Sequence, residues 1–98
     1  MAERIKCEKG FLVITFTPEE AKTIGFGIEE GCLCMECNNI IKNTIYYIAV
    51  LNDVMDEKCF NEWLKDAIHY SEDARVEDWN YISICKQCIM NGISIKNL

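Results

Sequence analysis

The sequence predicts an α+β fold, organised as a small single domain over residues 1–98. Two runs of β-branched and aromatic residues, Phe11 to Phe16 and Ile45 to Leu51, are typical of strands. A later segment places apolar residues three and four positions apart, which is the pattern of an amphipathic helix. A chain of 98 residues is expected to form one domain.

The N-terminal strand is expected to lead into a short helix. Thr17 suits the N-cap, Pro18 suits the first helical position, and two glutamates follow in the first turn. The helix must be short because a glycine-rich stretch from Gly25 to Gly31 comes next. We expect this stretch to be a loop that leads to a group of cysteines.

A β-hairpin is predicted in the middle of the chain, after these cysteines. Ile45 to Leu51 forms its first strand, Asn52-Asp53 its turn, and Val54-Met55 a short return strand. The hairpin is centred on residues Tyr46 to Met55.

Two C-terminal helices complete the predicted fold. The first begins at Glu57 and should pack one apolar stripe on the sheet: Phe60, Trp63, Leu64, Ala67 and Ile68. The second is expected from Asp78 to Asn91, before Gly92, with Glu77-Asp78 as its solvated start. The segment from Tyr81 to Ile84 is also compatible with a strand.

The most informative motif is a pair of cysteines, Cys34-Met35-Glu36-Cys37, followed after eighteen intervening residues by Asp56-Glu57-Lys58-Cys59. Two thiols two residues apart can bind one tetrahedral metal ion from a tight turn, and a second pair opening a helix would complete its coordination. We therefore predict a structural Zn²⁺ held by Cys34, Cys37 and Cys59, with Asp56 as the fourth ligand. Asp56 also stands where a helix N-cap is expected, which explains it without a metal.

This motif, with Phe60 directly after Cys59, resembles one zinc-binding half of a LIM domain or a related treble-clef module. The resemblance covers about a quarter of the chain and departs from the family at Asp56, where histidine or cysteine is usual. It implies a zinc-organised recognition fold rather than an enzyme.

Other cysteines offer competing ligand sets. Cys85 and Cys88 form a second pair of the same spacing and are alternatives to Asp56 and Cys59. Cys32 lies beside the first pair and is an alternative to Cys34, whereas Cys7 has no evident partner.

The amino-acid composition argues against several classes of protein. The net charge of −6 and the pI near 4.7 make a nucleic-acid partner unlikely. The seven cysteines are odd in number and no secretory signal is visible, so we expect reduced thiols and a cytoplasmic protein. No apolar run is long enough to cross a membrane.

The positions of three further residues predict particular contacts. His69, the one histidine, is expected to interact with the C-terminal end of the first of the two helices. Trp79 and Tyr81 are candidates for a contact surface.

The leading functional hypothesis is a non-enzymatic, zinc-stabilised module that binds another protein. One alternative is a metal-free α+β domain whose reduced cysteines lie in the core. Another is a thiol-redox protein using Cys34/Cys37 or Cys85/Cys88, although neither pair stands between a strand and a helix as in thioredoxin-like sites.

Overall fold

The computed structural model describes residues 2–26 and 31–98 and confirms an α+β fold. Within this part of the chain there are five strands, β1 to β5 in order: Ala2–Ile5, Val13–Phe16, Ile45–Ile48, Asp53–Met55 and Ile95–Lys96. The helices α1 to α3 span Pro18–Thr23, Glu57–Asp66 and Ala74–Met90, and a single 3₁₀ turn at Ser71–Asp73 precedes α3.

The five strands form one mixed sheet in the order β4-β3-β2-β1-β5. The predicted hairpin is present and pairs Tyr47 with Val54, but its turn lies earlier than predicted. Strand β3 ends at Ile48 rather than Leu51, and Asp53 belongs to β4 rather than to the turn. All neighbouring strands are antiparallel except β1 and β5, which are parallel. The two outermost strands, β4 and β5, are therefore the edges of the sheet.

Helices α2 and α3 lie on opposite faces of this sheet. Tyr46 stacks on Phe60 of α2, with ring centroids 4.8 Å apart and an interplanar angle of 17°. The hydroxyl of Tyr47, the next residue, lies 3.5 Å from the carbonyl oxygen of Asn80 in α3. Because consecutive strand residues point to opposite faces, the sheet separates the two helices.

The predicted start of α1 is confirmed. Thr17 is its N-cap, and the side chains and backbones of Thr17 and Glu20 form a reciprocal capping box. Of the glycine-rich stretch predicted as a loop, residues 27–30 lie outside the described part of the chain.

The apolar stripe of α2 is only partly as predicted. Phe60 is buried, and Trp63, Leu64 and Ala67 are partly buried against the core. The assignment of Ile68 to the core is wrong, because α2 ends at Asp66 and the Ile68 side chain is 65% exposed. The helix ends before the last two residues of the predicted apolar stripe.

Helix α3 begins earlier than predicted, at Ala74 rather than Asp78, because the 3₁₀ turn runs directly into it. Its end is as predicted. Gly92 has φ of +71°, and the N–H groups of Gly92 and Ile93 donate to the carbonyls of Ile89 and Cys88, which closes the helix in a Schellman motif. The alternative strand from Tyr81 to Ile84 is wrong.

Strands β1 and β5 were not predicted. β1 carries Glu3 and Arg4 and has no regular apolar alternation, yet it lies inside the sheet because it pairs with β2 on one side and β5 on the other. Within residues 2–26 and 31–98, no helix combines the length and hydrophobicity needed to cross a membrane.

Candidate metal centre

Cys34 and Cys37 belong to a tight turn closed by a bridge between Leu33 and Ile40. The N–H of Asn38 donates to the carbonyl of Cys34 at 2.9 Å, and the N–H of Cys34 donates to the carbonyl of Asn39 at 3.0 Å. Asn38 has φ of +60°, a left-handed conformation that asparagine tolerates better than most residues. We call residues 33–40 the cysteine knuckle.

The knuckle lies against β4, at the edge of the sheet. The N–H of Met35 donates to the carbonyl of Val54 at 3.0 Å. Two residues further along, the N–H of Asp56 points at the sulfur of Cys34, 3.5 Å away. These contacts hold the knuckle beside the point where β4 ends and α2 begins.

Asp56 connects the knuckle to α2 through both of its carboxylate oxygens. As the N-cap of α2, it accepts a hydrogen bond on Oδ1 from the N–H of Cys59 at 2.7 Å. Its Oδ2 accepts a hydrogen bond from the thiol of Cys37 at 3.3 Å. Capping and membership of the cysteine cluster, which were alternatives for Asp56, are therefore compatible.

The four predicted ligands come together in one place. The sulfur atoms of Cys34, Cys37 and Cys59 and a carboxylate oxygen of Asp56 all lie within 4.8 Å of one another. Ligands of a tetrahedral zinc ion are about 3.8 Å apart when each lies about 2.3 Å from the metal. The widest separation in the cluster exceeds this spacing by at most about 1 Å, whereas Cys37 Sγ and Asp56 Oδ2, 3.3 Å apart, are already closer than it.

The backbone around the cluster favours negative charge at two of its members. Burial alone raises the pKa of the Cys34 thiol, but N–H groups of Cys37, Asp56 and Glu36 point at its sulfur and bring the pKa below its ordinary value. The N–H of Cys59 likewise lowers the pKa of the Asp56 carboxyl. Metals bind thiolates and carboxylates, so these donors favour the charge states that a cation requires.

Cys59 holds its proton more tightly. Removal from water raises its pKa to about 12, and the hydrogen bonds that it makes with Cys34 and Asp56 act in the same direction. Cys34 is buried, Cys59 and Asp56 are partly exposed, and Cys37 is exposed. The cluster therefore has a buried side, at Cys34, and a side that solvent and ions can reach, at Cys37.

The competing cysteines do not join this cluster. Cys85 and Cys88 are buried in α3, and burial raises the pKa of both thiols, that of Cys88 to about 11. Cys32 is buried with its thiol pKa raised by desolvation, and Cys7 is partly exposed. In the described residues, the one group of three or more possible metal ligands is the predicted set.

Glu77 is the main residue that the sequence interpretation misjudged. It was expected to be solvated, but it is only 2% exposed. Its Oε2 accepts a hydrogen bond from the N–H of Leu12 at 3.0 Å, and its Oε1 lies 2.7 Å from Nε2 of His69. Glu77 thus links α3 to the start of β2 and to the segment after α2.

The interpretation of His69 is corrected by the same contact. Its ring pairs with Glu77 and packs edge-on against Phe11, with ring centroids 4.8 Å apart. The C-terminal carbonyls of α2 are instead bound by Lys9, whose Nζ donates to Leu64, Lys65 and Ala67. No local sequence pattern signals this contact, because Lys9 lies far from α2 along the chain.

Comparisons of this chain with protein-family models, curated proteins and solved structures find no significant match.

Proposed function

We propose that Cys34, Cys37, Cys59 and Asp56 bind one structural Zn²⁺, and that the protein is a non-enzymatic module for binding another protein. The observation that carries the metal assignment is the convergence of four ligand atoms, from segments about twenty residues apart, within 4.8 Å. Three sulfurs and one oxygen around a tetrahedral point favour zinc over Mg²⁺ or Ca²⁺, which take oxygen ligands.

The order of elements around the cluster supports a treble-clef-like arrangement. The cysteine knuckle comes first, the β3–β4 hairpin follows, and the first turn of α2 supplies Cys59. The N-terminus of a helix carries partial positive charge, which stabilises thiolate and carboxylate ligands. The resemblance to a LIM half covers only about a quarter of the chain, and the remaining strands and α3 lie outside it.

The proposed role as a binding module rests on the closed character of the site. Four protein ligands complete a tetrahedral shell, so a bound zinc would have no open position for a substrate or water. Such an ion contributes folding energy rather than chemistry. The reduced cysteines are consistent with a cytoplasmic protein, which remains part of the proposal.

A metal-free domain is the second candidate, and one observation favours it. Asp56 already accepts hydrogen bonds from Cys37 and Cys59, and Cys34 accepts one from Asp56. These bonds would hold the knuckle on α2 without a cation. The two candidates differ in metal content and in the effect of a chelator.

Elemental analysis of protein purified without chelators tests the proposal directly. We expect about one zinc per chain, and loss of cooperative thermal unfolding when a strong chelator removes it. Replacement by Co²⁺ should give the absorption bands of a tetrahedral thiolate complex. Protein without stoichiometric metal that unfolds identically with and without chelator would support the metal-free domain, and iron in place of zinc would overturn the assigned ion.

A further inference from the structure

Helix α3 has an apolar side that faces solvent. Five of its large apolar side chains are more than half exposed: Val76 at 56%, Trp79 at 73%, Ile82 at 52%, Ile89 at 69% and Met90 at 79%. Soluble monomers rarely expose apolar patches larger than a few hundred Å², and the largest patch is often a site of interaction. No described residue covers these side chains.

These five residues share one side of the helix. Their successive spacings are three, three, seven and one, which keeps them within about 140° of the helix circumference at 3.6 residues per turn. The buried residues Glu77, Ile84, Cys85 and Cys88 occupy the other side, against the body of the protein. Trp79, Ile82, Lys86 and Ile89 follow the alternating three-and-four spacing of a helix that packs along a second helix. Both sides of α3 therefore have residues suited to packing, but only the side with the buried residues packs against the rest of the domain.

We propose that this side of α3 packs against α3 of a second copy of the chain, with the two helices antiparallel about a two-fold axis. The area is sufficient. At these exposed fractions the five side chains offer roughly 600 Å² per copy, so the pair would bury roughly 1,200 Å², the lower end of the range for specific interfaces.

An antiparallel crossing midway between Ile82 and Ser83 makes this surface complementary to itself. Val76 then faces Ile89 of the second copy, and Ser83, with its small side chain, allows the helices to approach closely at the centre. Trp79 faces Lys86 of the second copy, where the ammonium group can lie over the indole ring. Each of these contacts occurs twice because the axis is two-fold.

The charges on the same surface favour this direction over a parallel one. Asp78 and Lys86 are both exposed, and they lie at roughly equal distances on either side of the crossing point. Antiparallel packing brings Asp78 of one copy near Lys86 of the other, whereas parallel packing would place the two Lys86 side chains together. Antiparallel helix dipoles also attract each other.

Sedimentation equilibrium of the full chain tests the proposal. Between about 1 μM and about 1 mM, the concentrations that populate weak to moderate complexes, we expect the mass to rise from 11.3 kDa to twice that value. Trp79→Lys should weaken the association about 30-fold or more, because it removes a large side chain near the centre of the interface and places an ammonium group opposite Lys86 of the second copy. Ile68→Lys is the matched control, because it puts the same charge at an isoleucine that is 65% exposed outside α3, and it should not change the association.

A charge exchange tests the direction of the helices. Lys86→Glu and Asp78→Lys should each weaken self-association, because like charges then meet in the homodimer. An equimolar mixture of the two variants should form a heterodimer in which both contacts are attractive. One is the original Asp78–Lys86 pair, and the other joins the lysine introduced at position 78 to the glutamate introduced at position 86. Circular dichroism of each variant establishes that its fold is intact.

Three results would overturn the proposal: a monomer throughout the concentration range, a dimer that Trp79→Lys leaves unchanged, or a mixture of the charge variants that associates no better than each alone. The first would assign the surface to a different protein. The proposal does not depend on the metal assignment, since α3 contributes none of the four ligands. A negative result for self-association would therefore leave the zinc assignment intact, and absence of zinc would leave the proposed dimer intact.

Discussion

The thiol of Cys37 donates a hydrogen bond to Oδ2 of Asp56 at 3.3 Å, and this contact joins the cysteine knuckle to the N-cap residue of α2. The other oxygen of the same carboxylate accepts the N–H of Cys59. Asp56 therefore stabilises the start of a helix with one oxygen and contacts the Cys37 thiol with the other. This division makes its two roles separable by mutation.

Asp56→Asn should weaken zinc binding while preserving the helix cap. Asparagine caps helices about as well as aspartate does, but a neutral amide oxygen is a poorer zinc ligand. Loss of even an outer partner of a metal ligand reduces affinity by about 10- to 100-fold, so we expect a loss of at least that size. Competition with a chelator of known affinity measures it.

Asp56→Ala provides the comparison for the cap. In zinc-saturated protein, Asp56→Ala should be at least about 1 kcal/mol less stable than Asp56→Asn, because alanine cannot accept the N–H of Cys59. Equal stability of the two zinc-saturated variants would show that the capping bond contributes nothing measurable, and unchanged zinc affinity in both would remove Asp56 from the ligand set.

Cys34→Ser should lose zinc and cooperative folding together, because Cys34 is the buried member of the cluster. Cys7→Ser is its control and should lose neither. Cys85→Ala combined with Cys88→Ala should retain about one zinc per chain, although the two cavities will lower the stability. Loss of zinc from this double variant would show that the second cysteine pair supplies ligands and that our assignment is wrong.

Truncating residues of the α2 stripe to alanine should lower the free energy of unfolding by amounts that follow their burial. Phe60→Ala should cost about 3–5 kcal/mol in the free energy of unfolding, because Phe60 is buried and stacks on Tyr46. Trp63→Ala should cost less, since that side chain is only partly buried. Ile68→Ala should stay within about 0.5 kcal/mol. Denaturant unfolding measures all three, and a large effect at Ile68 would contradict the observed end of α2.

Glu77→Ala should lower the free energy of unfolding by about 1.5–3 kcal/mol, because it removes the acceptor for the N–H of Leu12 and the partner of His69. Glu77→Gln should cost less, since the amide can still accept from Leu12 and donate to the ring. Glu72→Ala, at an exposed acid in the preceding 3₁₀ turn, should change little. Thermal unfolding of the three variants ranks them, and equal effects would show that the buried contacts of Glu77 are unimportant.

The predictable parts of this structure were those set by neighbouring residues in the chain. Thr17 and Asp56 mark helix starts because capping depends on the three residues that follow. The spacing from Cys34 to Cys37 implies a turn, and the spacing to Asp56 and Cys59 leaves room for one hairpin, so the cluster could be located before any fold was known.

The parts that could not be predicted depend on distant partners. Strand β1 becomes interior only because β5, at the other end of the chain, pairs with it. Glu77 is buried because Leu12 and His69 satisfy its carboxylate, and an isolated Glu-Asp pair gives no sign of this. The exposure of Ile68 likewise follows from where the chain turns, since its position in the stripe matched that of Phe60.

The contact between Met35 and Val54 has a consequence for solubility. Strand β4 is an edge strand, and the knuckle occupies a carbonyl there that would otherwise be open to another chain. If zinc holds the knuckle in place, its removal would uncover a short apolar edge beside Leu33 and Ile40, both of which are already partly exposed. The first sign of metal loss would then be aggregation through strand pairing, at a temperature where α3 is still helical.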